Sequence, residues 1–407
     1  MRWMLLMTLM LGGLARGADP GPGAEPSVAP QTEPTPAELE ALQKALGQDA
    51  ATPGPAPSNP IAAAVQSMNP DLSLIFDGSL SWFSDEAPDQ RGGHDPNKTG
   101  FGFNQLELHA GASVDPFFRF DANIVFAQFG VEVEEAYATS LGLPAGLQLR
   151  AGQFLTRFGR KNPTHPHQWA FLDQPLAFGK FFGSEGSRGL GVELSWLTPL
   201  PWYAEVVVSA SEAGGECCAR SFLGANDTGV HGLGDFLYTM ALKQFWDLGP
   251  DWGLSFGLSA QLGPSSSGHG NRAMLLGADL FLRWRPRGGP GRTSVDLTVE
   301  ALARGRELPD RVVWDGGGYA ELRWAIDAEW AIAARHELVT GLEDDPLDPT
   351  WTETRQRTAL ALDFLPSHFS RLRLQLGRDQ NPARDEVGWM AMLGLEVAIG
   401  AHGAHAY

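Results

Sequence analysis

From residue 71 onward, hydrophobicity alternates residue by residue in segments of about ten, and very few folds can use such a chain. In 102–114, Leu106, Leu108, Ala110, Ala112 and Val114 share one face, while Gln105, Glu107, His109 and Ser113 share the other. In 276–285, Leu276, Ala278, Leu280, Leu282 and Trp284 oppose Asp279, Arg283 and Arg285. Leu372, Leu374 and Leu376 oppose Arg371, Arg373 and Gln375. Successive side chains of a strand point to opposite faces, so each segment has one apolar and one wet face. About sixteen such segments begin near residues 72, 101, 117, 131, 147, 190, 202, 236, 252, 274, 294, 314, 329, 351, 370 and 388. Two of them, 131–139 and 329–340, alternate poorly; His336 falls on the nominally apolar face of the second.

The connections alternate in length. Those at 115–116, 198–201, 247–251, 286–291, 327–329 and 365–368 are short, whereas 84–100, 155–189, 211–235, 263–271, 305–312, 341–350 and 378–386 are mostly longer. Short turns at one end, long loops at the other and an even strand number describe an all-β transmembrane antiparallel up-and-down β-barrel of about sixteen strands. A soluble sandwich would not require aromatics at strand ends. Here they bracket the short turns as Trp196 and Trp202, Phe245, Trp246 and Trp252, Trp324 and Trp330, and Phe364 and Phe369, the place of a headgroup-level girdle. The expected surroundings of residues 71–407 are therefore outer-membrane lipid.

The chain's start reads as an address. Arg2, an apolar run over 4–14 and Ala15-Arg16-Gly17 form a secretory signal over 1–17, too short to span a bilayer as a helix. Residues 18–70 form a Pro-rich periplasmic linker, interrupted at 36–46 by a short helix with Leu39, Leu42 and Leu46 on one face. At the other end, Tyr407 closes an alternating strand, and a terminal aromatic there resembles the signal read by barrel-assembly machinery. The formal charge of −18, from 30 Lys+Arg against 48 Asp+Glu, argues against nucleic acid as a partner. The only two cysteines, Cys217 and Cys218, cannot build a disulfide scaffold.

Sixteen strands leave room for an aqueous channel. The connection at 155–189, third in order at the long-loop end, is the longest and holds Arg157, Arg160, Lys161, Lys180 and Arg188 against Asp173 and Glu185. At a constriction these five cations would favour anions; alternatively they pair with wall acids and hold the loop in place. The wall adds Arg119, Arg150, Arg283, Arg323, Arg355 and Arg373, and also Glu107, Asp121, Glu193, Asp279, Asp296, Glu300 and Glu321, so its charge roughly cancels. His165 and His167 are the metal candidates, but no single segment supplies zinc ligands at a diagnostic spacing, and no cofactor is expected. Gly253-Leu254-Ser255-Phe256-Gly257 matches a hydrolase motif, but in mid-strand, without the turn that would expose the serine. His336-Glu337 lacks the second histidine of a zinc-hydrolase helix. No enzyme is expected.

At the third loop, LRAGQFLTRFG (149–159) resembles the segment that leads into the third loop of the phosphate-selective porin family. That resemblance implies a homotrimer of sixteen-stranded barrels. The segments GVEVEEAYATSL (130–141) and NPTHPHQW (162–169), with the terminal AHGAHAY, are similar to a group of bacterial outer-membrane proteins often labelled "zinc-regulated TonB-dependent outer membrane receptor". A receptor of that kind has about 22 strands and a plugged lumen, for which this chain lacks length. The reading is a porin passing small hydrophilic solutes or ions passively; a metal-related receptor and a barrel hydrolase are the alternatives.

Overall fold

The computed structural model describes residues 70–400, apart from 129, 227–228, 288–292 and 383–385. The signal at 1–17, the linker with its 36–46 helix and Tyr407 lie outside the described residues. Among those described, the strands are β1 (Asp71–Phe83), β2 (Gly100–Ser113), β3 (Phe118–Ala127), β4 (Gly130–Ser140) and β5 (Leu147–Leu155). They continue as β6 (Arg188–Leu197), β7 (Tyr203–Ser211), β8 (Leu237–Asp247), β9 (Trp252–Pro264) and β10 (Arg272–Trp284). The last six are β11 (Ser294–Glu307), β12 (Val312–Ala325), β13 (Trp330–Val339), β14 (Arg355–Ser367), β15 (Ser370–Asn381) and β16 (Glu386–Gly400).

Each strand pairs antiparallel with the next, and β1 closes on β16 from Ser73↔Gly400 to Phe83↔Met390. The result is a closed sixteen-stranded barrel, as the alternation predicts. Closure leaves no strand edge unpaired, the condition for crossing lipid with strands. The outer face is apolar: Leu72, Leu80, Leu258, Leu276, Leu360, Leu374 and Leu395 all stand exposed. Aromatic side chains ring both ends of it. Trp196, Trp252, Trp324, Trp330 and Phe369 are exposed near the short turns, and Trp82, Phe101, Trp314 and Trp389 near the long loops. Phe245 belongs to neither ring by parity, since it shares a face with Lys243 and Thr239.

Two connections at the long-loop end differ from expectation. The link between β11 and β12 is only 308–311, because both strands extend further than the pattern suggests, and the link between β3 and β4 is only 128–129. The third loop at 156–187 is indeed the longest, and it packs inside the barrel. It carries a 3-10 turn (Pro166–Gln168) and a short helix, α1 (Leu176–Phe181). Gly183, at φ 112°, ends that helix against the backbone of Cys217; a side chain there would be strained and would collide.

The loop is held by a hydrophobic core inside the lumen. Phe158, Leu176, Phe178, Phe181 and Phe182 meet Phe222 of the loop at 212–236 and Trp351 of the loop at 340–354. Wall residues Leu237, Leu275, Leu302 and Val339 complete it from the inward face of their strands. The sequence reading makes this face uniformly wet; at the loop end of β8 to β13 these apolar side chains stand among the buried Arg304, Arg306 and Asp315.

Candidate functional site: the loop-lined lumen

Most inward-facing charges can be followed to a partner. On the third loop, Arg157 donates to Glu193 at 3.0 Å and Glu205 at 2.9 Å. Lys161 meets Glu321 at 3.1 Å, and Lys180 meets Asp315 at 2.8 Å and the Thr340 carbonyl at 2.6 Å. Arg188, the first residue of β6, pairs with Glu132 and lies 3.4 Å from the Cys218 sulfur. That sulfur is disulfide-bonded to Cys217, so the cysteine pair is one linked group packed on the loop. Arg160 differs: its guanidinium lies 3.6 Å from the centre of the Phe281 ring and forms no ion pair among the described residues.

The wall cations follow the same rule. Arg119 pairs with Asp121, Arg150 with Glu193, Arg283 with Asp296, Arg355 with Asp89 and Arg373 with Asp363. Asp279 has Lys243 at 3.9 Å, and Glu300 accepts from the Lys161 backbone at 2.7 Å and from the Tyr319 hydroxyl at 2.8 Å. Arg323 faces inward opposite Asp296 in the β11–β12 register, yet forms no ion pair among the described residues. The five loop cations are therefore spread along the loop rather than gathered into one ring, and four of them end on carboxylates.

A further anchor of the loop is Asp173, which the sequence reading counts only as an acid set against the loop's cations. Asp173, fully buried, accepts from Arg335 at 2.7 Å, Arg357 at 3.0 Å and Gln375 at 2.6 Å. Burial alone would raise its pKa, but the two guanidinium groups hold the carboxyl below the ordinary carboxylate range. Glu337 takes the backbone N–H of Leu176 at 2.6 Å, and Gln375 that of Leu172 at 2.7 Å. Arg335, Glu337, Arg357 and Gln375 all lie on the polar parity of β13 to β15, so their alternation was a usable signal. What they would bind was not.

Between the third loop and the wall opens a cavity. Asp77, Arg371, Arg373 and Glu396 line it on the β1, β15 and β16 side, with Trp169 and Asn162 opposite. At its rim His94, from the loop at 84–99, lies 3.1 Å from Glu185. Burial works against charge on this imidazole, yet the Glu185 carboxylate raises its pKa to about 9 and is itself held below the usual range. A raised histidine contributes stability fully below the unfolded value of about 6.5 and loses it as pH climbs through about 9. The tie between first and third loops should thus slacken above pH 9. Current noise in the single channel is expected to grow there, and His94→Gln should make the noise independent of pH over that range; a persisting dependence would place its origin elsewhere.

The metal candidates lie beside Glu134, which lines the same cavity. His165 Nδ1 is 3.0 Å from Glu134 and 3.7 Å from Glu107, and its Nε2 is 3.0 Å from Glu135. His167 Nδ1 is 3.1 Å from Glu107, and the two imidazoles stack at 5.7 Å. Segments 130–141 and 162–169, far apart in sequence, thus meet at one place, joined by β2. The weak alternation of β4 has its cause here: a bulge opposite Asn123 and Ile124 turns both Glu134 and Glu135 inward. Ser255, by contrast, sits within β9 with no turn beside it, and His336 faces outward, donating to or accepting from Thr358 at 2.9 Å. Among the described residues, neither hydrolase motif acquires a partner that would give it chemistry.

The comparisons with known proteins agree with this architecture. No family model matches the chain. Among solved structures, OprB of Pseudomonas putida aligns at a TM-score of 0.57 with 11% identity, over 83% of this chain and 96% of that one. The outer membrane channel DcaP of Acinetobacter baumannii aligns at 0.54 with 12% identity, over 81% and 97%. The anion-selective porin from Comamonas acidovorans aligns at 0.50 with 13% identity, over 81% and 99%. At such identities the likeness is one of fold. None of these comparisons supports the TonB-dependent receptor label. A curated protein of Aquifex aeolicus (strain VF5), named only as uncharacterized, is 30% identical over 390 residues, covering 83% of this chain and 80% of that protein. The chain belongs to the family of that Aquifex aeolicus protein, and its fold is the sixteen-stranded barrel of the outer-membrane porins.

Proposed function

We propose that this chain is exported to the bacterial outer membrane and works there as a passive channel for small hydrophilic solutes or ions. One observation supports this most: a closed barrel with an apolar outer belt and charged inner wall, narrowed from within by its third loop. The solved channels of the same fold add weight to it. Reconstituted in planar bilayers, the protein should give steady ohmic conductance. Complete absence of current would favour a plugged receptor or an enzyme.

Selectivity in this reading is a mild anion preference. Most lumen cations face a carboxylate at ion-pair distance, which cancels their field within a few ångströms, and Arg160 and Arg323 are the exceptions. Replacing Arg160 with Ala removes one of these, and Arg157→Ala uncovers Glu193 and Glu205. Both substitutions should move the reversal potential in a salt gradient toward cations. An unchanged value would remove the third loop from the selectivity argument. Assembly as a homotrimer, which the likeness to phosphate-selective porins implies, is part of the same reading and is checked by cross-linking in detergent.

A further inference from the structure

The geometry points to a divalent-metal site inside the barrel, with Glu107 of β2, Glu134 of β4 and His165 of the third loop as its ligands. One ligand atom from each lies within 4.8 Å of the other two. Atoms around a tetrahedral zinc-like ion at bonds of about 2.0–2.1 Å stand roughly 3.3 Å apart. The spacings from His165 Nδ1, 3.0 Å to Glu134 and 3.7 Å to Glu107, bracket that edge. Two of the three ligand spacings thus already stand near those around a bound ion.

Three further observations point the same way. The second nitrogen of His165 lies 3.0 Å from Glu135, the carboxylate–histidine arrangement that fixes a metal-binding ring and turns its other nitrogen toward the ion. His167 sits 3.1 Å from the second oxygen of Glu107, near enough to complete the shell by a change of rotamer. The bulge in β4 spends a strand irregularity on turning two adjacent glutamates inward, and Glu134 also borders the cavity beside the third loop, which gives an ion a route in. A mixed nitrogen and oxygen set with two carboxylates suits a divalent transition metal. Magnesium and calcium, which take oxygen ligands, fit it poorly.

The site stands independently of the channel reading, because binding can be measured without current. Calorimetric titration of the folded, detergent-solubilised full chain should show one Zn²⁺ bound per chain and no comparable heat from Mg²⁺. His165→Ala and Glu134→Gln should each weaken Zn²⁺ binding at least tenfold, and Glu135→Gln by about ten- to a hundredfold through loss of ring orientation. His231→Ala, in the loop at 212–236, should change nothing. Far-ultraviolet circular dichroism would confirm that each barrel has formed. Glu134→Gln, which keeps the side chain's shape, carries the test if His165→Ala does not fold. Absence of Zn²⁺ binding in the parent chain, or binding unaltered in the folded variants, would leave the cluster as a set of internal ion pairs and overturn the site.

Discussion

Asp173→Ala should release the third loop from the wall and destabilise the protein by about 1–3 kcal/mol, because it removes the acceptor that two buried guanidinium groups share. Arg335 and Arg357 are almost inaccessible to solvent, and both converge on this one carboxylate. Arg335 keeps Glu337 at 2.8 Å and Arg357 keeps Asp379 at 2.7 Å, so the cost comes from the lost contacts and the buried N–H donors left without an acceptor. A freed loop widens the path along the wall, so single-channel current should become larger and noisier. Asp173→Asn keeps the shape but not the charge, and should recover only a minor part of the loss. The sign in pH follows from the depressed carboxyl: its contribution is complete above the ordinary value of about 4 and is lost as pH falls below it. Unchanged denaturation midpoint and unchanged current in Asp173→Ala would show that the hydrophobic core alone holds the loop.

Leu258→Arg is the second large effect, and it tests the belt rather than the lumen. Leu258 stands exposed midway along β9 on the outer face. An arginine near the bilayer midplane costs about 2–4 kcal/mol, against roughly 0–1 near the interfaces. Ser255→Arg, on the inward parity of the same strand, should cost about 0.5 kcal/mol or less, since water can reach it. Equilibrium unfolding from lipid vesicles reads both. Equal costs for the two would mean that lipid does not contact the outer face, and the membrane reading would fail with it.

Particular residues show how far the sequence could be read. The faces of β2, β10 and β15 follow from the alternation at Leu106, Leu280 and Leu374, because a strand between lipid and water must repeat every two residues. The third loop's size and its cations were equally visible. Their pairing was not. Arg157 and Glu193 are 36 residues apart, and Lys161 and Glu321 are 160 apart. Nothing local joins such partners; the circumference of the barrel does. The poor alternation of β4 was visible too, but its meaning waited on Asn123 of β3, opposite which the bulge forms.

By itself, then, the chain's pattern determined a closed barrel, its strand number and its lipid-facing side. Each of these is a demand that surrounding lipid or water makes on neighbouring residues, so it is written in neighbouring residues. The apolar core within the lumen, the anchor at Asp173 and the meeting of Glu107, Glu134 and His165 were decided only by the tertiary structure. Those contacts exist because closing the ring brings distant strands to face one another and a loop between them, a distance that a two-residue period does not measure.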